Sequence, residues 1–255
     1  MELNKIYNED CLEGMKKIPD KSVDMILCDL PYGTTACKWD AIIPFEPLWE
    51  QYERVIKDNG AIVLTASQPF TTKLINSNIG NFKYTWVWNK KKSSTAVLAK
   101  IQPLRVHEDI VVFCKKKPLY NPQMTKGKPR KDPVTNKSNG EAFQNSVVSR
   151  GYNNPKGLYY PKSILEISNA NTRNRLHPTQ KPVALFEYLI KTYTNEGETV
   201  LDNCMGSGTT AIAAINTGRN YIGFELDEGY YKASLDRIEK HKEEWNKENG
   251  KYEFR

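Results

Sequence analysis

Two short segments of the 255-residue sequence combine residue types that can do chemistry. In the first, Asp29-Leu30-Pro31-Tyr32 directly follows the mostly apolar stretch Val23 to Cys28. Such a run reads as a buried strand of an α/β sheet. The residues after it lie at the carboxyl edge, where these sheets collect ligands. A carboxylate (Asp29), a backbone carbonyl held by the following proline ring (Leu30) and an aromatic face (Tyr32) suit a planar heterocycle that carries an amino group. The lone pair of such an amino group is delocalised into the ring, so the nitrogen is a poor nucleophile. Two acceptors for its hydrogens draw it toward a tetrahedral, reactive shape. A plain strand-end Asp-x-Pro turn is the structural alternative.

In the second segment, Gly206-Ser207-Gly208-Thr209-Thr210-Ala211 fits G-x-G-x-x-[G/A] between a strand and a helix, and Glu225 follows at the end of the next strand. The glycines allow a tight turn and close approach of backbone to ligand, and the acid can bind both hydroxyls of a ribose. The pattern fits an adenosine-type cofactor and leaves open nicotinamide dinucleotide or S-adenosylmethionine.

The elements that must hold these segments alternate between strand-like and helix-like stretches. Strands are expected at Val23 to Cys28, Ala61 to Thr65, Tyr84 to Trp88, Ile110 to Cys114, Thr199 to Asp202 and Tyr221 to Glu225. Helices are expected at about Pro47 to Lys57, Val183 to Tyr193 and Thr209 to Thr217, with a long charged helix capped by Asp227. Asp58-Asn59-Gly60 reads as a turn. Alternation of this kind predicts a mostly parallel sheet covered by helices.

Composition narrows the class further. The formal net charge is +7, yet residues 115 to 181 hold fourteen Lys and Arg against three acids, a surplus of eleven that leaves the rest of the chain at −4. Tyr120, Phe143, Tyr152, Tyr159 and Tyr160 lie among these cations. Cations meet phosphates and rings stack on bases, so the segment fits a polyanion surface; a solvated lysine-rich loop is the bland alternative. The longest apolar runs, Ile110 to Cys114 and Ala211 to Ile215, are far short of the ~20 residues a membrane helix needs. The polar first ten residues give no sign of a secretory signal, so a cytoplasmic location is expected. The cysteines (Cys11, Cys28, Cys37, Cys114 and Cys204) form no C-x-x-C pair and have no histidine at zinc-ligand spacing. Reduced thiols and no metal are expected.

Taken together, the motifs resemble the permuted (β-class) amino-group DNA methyltransferases, of adenine-N6 or cytosine-N4 type. DLPYG at 29–33, a basic middle segment and LDNCMGSGTT at 201–210 stand in that family's order. His177 to Pro182 and Asn8 to Cys11 resemble its segments near the methionine end and the adenine ring of the cofactor. Val106 to Ile110 resembles a segment of structural or target-side role. The resemblance implies a Rossmann-like methyltransferase fold, with a catalytic domain of residues 1–114 and 176–255 around a target-recognition insert at 115–175. It implies S-adenosylmethionine bound by Asp10, Cys11, Asp29, Lys181, Asp202, Gly206, Gly208, Thr209 and Glu225, and catalysis by Asp29, Leu30, Pro31 and Tyr32. Double-stranded DNA is the implied substrate, its base flipped out against Tyr32 and Trp39, with Lys126, Arg130, Arg173 and Arg175 as contacts. A homodimer and a cognate restriction enzyme are left open as partners.

The family's usual first proline is Leu30 here, and Asn203-Cys204 replace its Pro-Phe. Asp rather than Ser at position 29 leans toward adenine. A nicotinamide-dependent dehydrogenase would share the glycine turn but leave DLPY and the basic segment without a purpose. A non-catalytic DNA-binding module would not need the glycine turn, and an enzyme acting on RNA or protein glutamine fits the basic insert less well.

Overall fold

Val23–Cys28 is buried along its whole length, alternate residues facing two different apolar layers, as a central parallel strand requires. The computed structural model describes residues 1–34, 40–93, 96–131, 153–169 and 180–249. In chain order its elements are β1 (Lys5–Tyr7), α1 (Cys11–Met15), β2 (Val23–Cys28), α2 (Phe45–Val55), β3 (Ile56–Ala66), α3 (Phe70–Ser77), β4 (Phe82–Asn89) and β5 (His107–Phe113). After these come β6 (Thr125–Lys126), β7 (Arg130–Lys131), β8 (Asn153–Asn154), β9 (Leu158–Tyr159) and β10 (Ile164–Glu166). Last are α4 (Val183–Tyr193), β11 (Thr199–Asp202), α5 (Thr209–Asn216), β12 (Asn220–Phe224) and α6 (Glu228–Asn249).

One unit comprises 1–121 and 163–255 and is built on an eight-stranded sheet of order β1-β12-β11-β2-β3-β5-β4-β10. Every neighbouring pair is parallel except those of β5, which runs antiparallel to both β3 and β4. This reversal matters for the site. The carboxyl ends of β1, β2, β3, β4, β11 and β12 share one edge, and β5 alone delivers its amino-terminal residues there, with Asp109 paired to Ala66 and Glu108 to Trp88. Met25, Leu27, Val63, Val200, Leu185, Leu189 and Ile212 pack one face of the sheet. Ile26, Cys28, Leu64, Leu48, Tyr52, Phe70 and Leu74 pack the other.

The expected α/β architecture is present, with α4 and β11 at the expected residues. Asp58-Asn59-Gly60 is not a turn, however, because helix α2 passes straight into β3 at Ile56 and the three residues lie within the strand. Gly60 approaches β2 so closely that a Cβ there would meet the Asp24 carbonyl at 2.7 Å, and Asp58 pairs with Lys21 and Lys116 instead of turning the chain.

The second unit, 122–162, carries two short antiparallel ladders, β6 with β9 and β7 with β8. It lies inside the 115–175 insert that the family resemblance implies. Asn121 is tied to Thr192 within the first unit, and β10 extends the large sheet beside β4. Among the described residues no helix is long and apolar enough to cross a membrane, and Cys11, Cys28, Cys114 and Cys204 are free thiols.

Candidate active site

The glycine segment is held in place by acids bonded to backbone. Asp202, at the end of β11, accepts from the Cys204 N–H at 3.0 Å and from the Thr210 hydroxyl, so it ties the two sides of the loop together. Gly206 and Gly208 take φ of +53° and +78°, the left-handed region that glycine enters without a Cβ penalty. Glu225, at the end of β12, accepts from Gly206 N at 2.7 Å and from Asp227 N at 2.9 Å. A carboxylate has about four acceptor positions, so capacity remains for ligand hydroxyls. Asp10 caps α1, accepting from Leu12 N at 2.8 Å and Glu13 N at 3.2 Å.

Asn203 and Cys204 give this floor its own character. Asn203 is buried, accepts from the Tyr52 hydroxyl, and turns its amide nitrogen to the sulfurs of Cys11 and Cys204, each at 3.5 Å. Burial pushes the Cys28 thiol up to about 12, and a bond to Cys204 together with burial raises Cys11. These are packing thiols, not nucleophiles.

The other end of the site is centred on Asp29. Its Oδ1 accepts from the Tyr32 hydroxyl at 2.8 Å and from the Thr65 hydroxyl, and its Oδ2 accepts from Lys181 Nζ at 2.8 Å. Lys181 also lies 3.2 Å from Glu108 Oε2, and Glu108 Oε1 takes Lys90 at 2.9 Å. Burial pushes the Glu108 carboxyl up, but Lys181 and Lys90 outweigh it and hold the group below its ordinary value. Burial likewise pulls the Lys181 ammonium down, and Asp29 and Glu108 reverse that and raise it. The tetrapeptide backbone is clamped from behind. Asp40 Oδ1 accepts from Tyr32 N at 2.8 Å and Gly33 N at 2.9 Å, and its Oδ2 from Thr34 N at 2.8 Å. The Tyr32 ring stacks on Phe70 at 5.1 Å, with Lys181 Nζ 5.6 Å from its centroid.

A single cavity of about 880 Å³ joins the two ends, a size typical of small-molecule sites. Of the residues singled out in the sequence, Asp10, Cys11, Asp202, Gly206, Thr209 and Glu225 line it at the glycine end. Asp29, Leu30, Pro31, Tyr32 and Lys181 line it at the tetrapeptide end. Gly208 shapes the turn without lining the cavity. Lys126 and Arg130 lie on β6 and β7 of the other unit. Trp39, Arg173 and Arg175 fall outside the described residues. The sequence pattern does not single out Thr65, Phe70 or Lys90. It does mark the VHEDI segment, but not the contact between Glu108 and Lys181.

Residues 23–236 match the family model described as DNA methylase. The chain belongs to that family. It is 29% identical over 265 residues to the DNA adenine methyltransferase YhdJ of Escherichia coli (strain K12), covering 93% of this chain and 83% of that protein. Two solved structures share its fold. One is the M1.HpyAVI–SAM complex (TM-score 0.61, 24% identity, 92% of this chain and 98% of that one). The other is the cytosine-N4-specific PvuII DNA methyltransferase (TM-score 0.65, 18% identity, 95% and 91%).

Burial raises Asp202 to about 6. The native state therefore holds that proton more tightly than the unfolded chain. The group's contribution to stability is full below about pH 4 and is lost as pH climbs through about 6. Asp202→Asn stays neutral throughout. Its melting temperature relative to the parent should rise between about pH 4 and pH 7 and then level off; a difference that is flat or falls over that range contradicts this reading.

Proposed function

We propose that the protein transfers a methyl group from S-adenosylmethionine to the exocyclic amino group of a base flipped out of duplex DNA, with adenine N6 as the acceptor. The observation that carries this is Asp29, a carboxylate at the sheet edge that shares one cavity with the glycine loop and Glu225. Family membership supports the reaction class. The name of the E. coli relative supports adenine, and the M1.HpyAVI structure, a complex with SAM, supports the donor.

The cavity suits that donor. Glu225 retains acceptor capacity for ribose hydroxyls, Asp10 and Cys11 flank the same end, and Gly206 brings bare backbone to the wall. S-Adenosylmethionine supplies an electrophilic methyl on a sulfonium. The residues of this chain do the positioning. Asp29 Oδ1 already receives two hydroxyls, so its remaining capacity is on Oδ2, where one amino hydrogen is received; the Leu30 carbonyl receives the other. The Asp40 clamp fixes the backbone at Tyr32 to Thr34, directly after the two acceptors. Tyr32 keeps its hydroxyl bound to Asp29 and offers ring surface to the base. No covalent bond to the protein is needed.

Unit 122–162 takes the phosphate side of the reading. Its described residues include six Lys and Arg and no acid, and Tyr160 is 72% exposed among them. Such a surface suits backbone contact with stacking.

Asp29→Ala should abolish methylation of duplex DNA while calorimetry still records cofactor binding; retained activity would refute the scheme. Affinity of the parent for DNA should fall steeply with salt, and converting Lys126, Lys128 and Arg130 together to Gln should flatten the log–log slope by about 2 to 3 units. An unchanged slope would mean those cations do not touch phosphate.

A further inference from the structure

Lys181 and Lys90 are only 7% and 6% exposed; Lys181 lies beside Asp29, and Glu108 lies between the two lysines. Glu108 is there because β5 runs against its neighbours and brings its amino-terminal end to the reactive edge. Its position is costly. Glu108 Oε2 is buried and has no directed hydrogen bond, and its close partner among the described residues is the Lys181 charge at 3.2 Å. A buried carboxylate left incompletely bonded is a poor device for stability, since an apolar side chain of similar volume often does as well or better. What Glu108 supplies and an apolar residue does not is a negative charge.

The methyl transfer explains why that charge is needed. As the amino lone pair forms the N–CH3 bond, the C–S bond breaks with its electrons left on sulfur. The sulfonium becomes a neutral thioether, and the nitrogen carries the positive charge until its proton leaves for solvent. Lys181 orders Asp29 through the 2.8 Å bond to Oδ2, but by itself it would cancel the Asp29 charge and oppose a cation in the same cavity. Resting on the function proposed above, we propose that Glu108 is a positioning residue for methyl transfer: it turns Lys181 toward Asp29 and neutralises it, so that the pocket accepts a cationic donor and a nitrogen becoming cationic. Lys90, paired to the other Glu108 oxygen, sets how much of that negative charge the pocket feels.

The test compares two ligands that differ in charge at sulfur. Calorimetry on the full-length protein gives Kd for S-adenosylmethionine and for the neutral product S-adenosylhomocysteine. Glu108→Gln should weaken the sulfonium ligand by about tenfold and the thioether by less than about threefold, because only the sulfonium charge feels the lost carboxylate and Lys181 and Lys90 already offset part of it. It should also lower kcat with little change in KM for DNA. Lys90→Met should shift the ratio of the two Kd values the opposite way, toward the sulfonium, and this holds as a test even if Glu108→Gln does not fold. Glu108→Asp should restore most of the parent ratio. Equal losses for both ligands, or a ratio that neither variant moves, overturn the proposal. Failure of the parent to bind either ligand would overturn the cofactor reading, and this inference with it.

Discussion

Taking an ammonium out of water costs several kcal/mol even after the protein relaxes, and Lys181 is buried where two carboxylates meet it. Most of the site is arranged around that need. Asp29 arrives from the end of β2, Glu108 from the reversed strand β5, and Lys181 from the approach to α4. Lys90, just past β4, balances the remaining charge, giving a chain of two cations and two anions. Removing one member leaves a buried charge uncompensated, which costs more than the pair itself contributes. The sheet topology is therefore also an electrostatic arrangement, in which one antiparallel strand brings an acid to an edge that parallel strands supply with loops.

The loops at that edge are held by acids acting on backbone. Asp40 collects three consecutive N–H groups behind the tetrapeptide, Asp202 spans the glycine turn, Glu225 grips its middle, and Asp10 caps the short helix beside it. Each supplies an acceptor to N–H groups that no ladder satisfies. The result is a rigid rim in which ligand-facing oxygens are fixed before any ligand arrives, the condition under which positioning alone can accelerate a group transfer.

Much of this was legible in the sequence, for physical reasons. The run Val23–Cys28, apolar except for Asp24, has no stable place except between two packed layers, and the glycines at 206 and 208 occupy positions of positive φ. The charge chain was less accessible. Asp29 meets Thr65 across 36 residues and Lys181 across 152, and no local pattern encodes such partners. Glu108 falls in a segment whose implied role is structural or target-side, ahead of the strand expected at Ile110 to Cys114, and only the direction of β5 makes it a neighbour of Lys181. The stretch at 58–60 misled because Asp-Asn-Gly commonly turns a chain, whereas here Gly60 serves a close strand contact. Charge alone marks a basic segment without dividing it between units. Its flanks at 115–121 and 163–169 belong to the unit that holds the large sheet.

Asp29 as the acceptor for an amino group is the central claim, and the identity of the methylated atom tests it most directly. A mixed-sequence duplex DNA library is incubated with the protein and methyl-labelled S-adenosylmethionine, then digested to nucleosides and resolved by mass spectrometry. The label is expected on N6-methyldeoxyadenosine. Label on N4-methyldeoxycytidine would keep the chemistry and overturn the choice of base. Label on carbon 5 of cytosine, or none in a protein that binds the cofactor, would contradict the central claim itself.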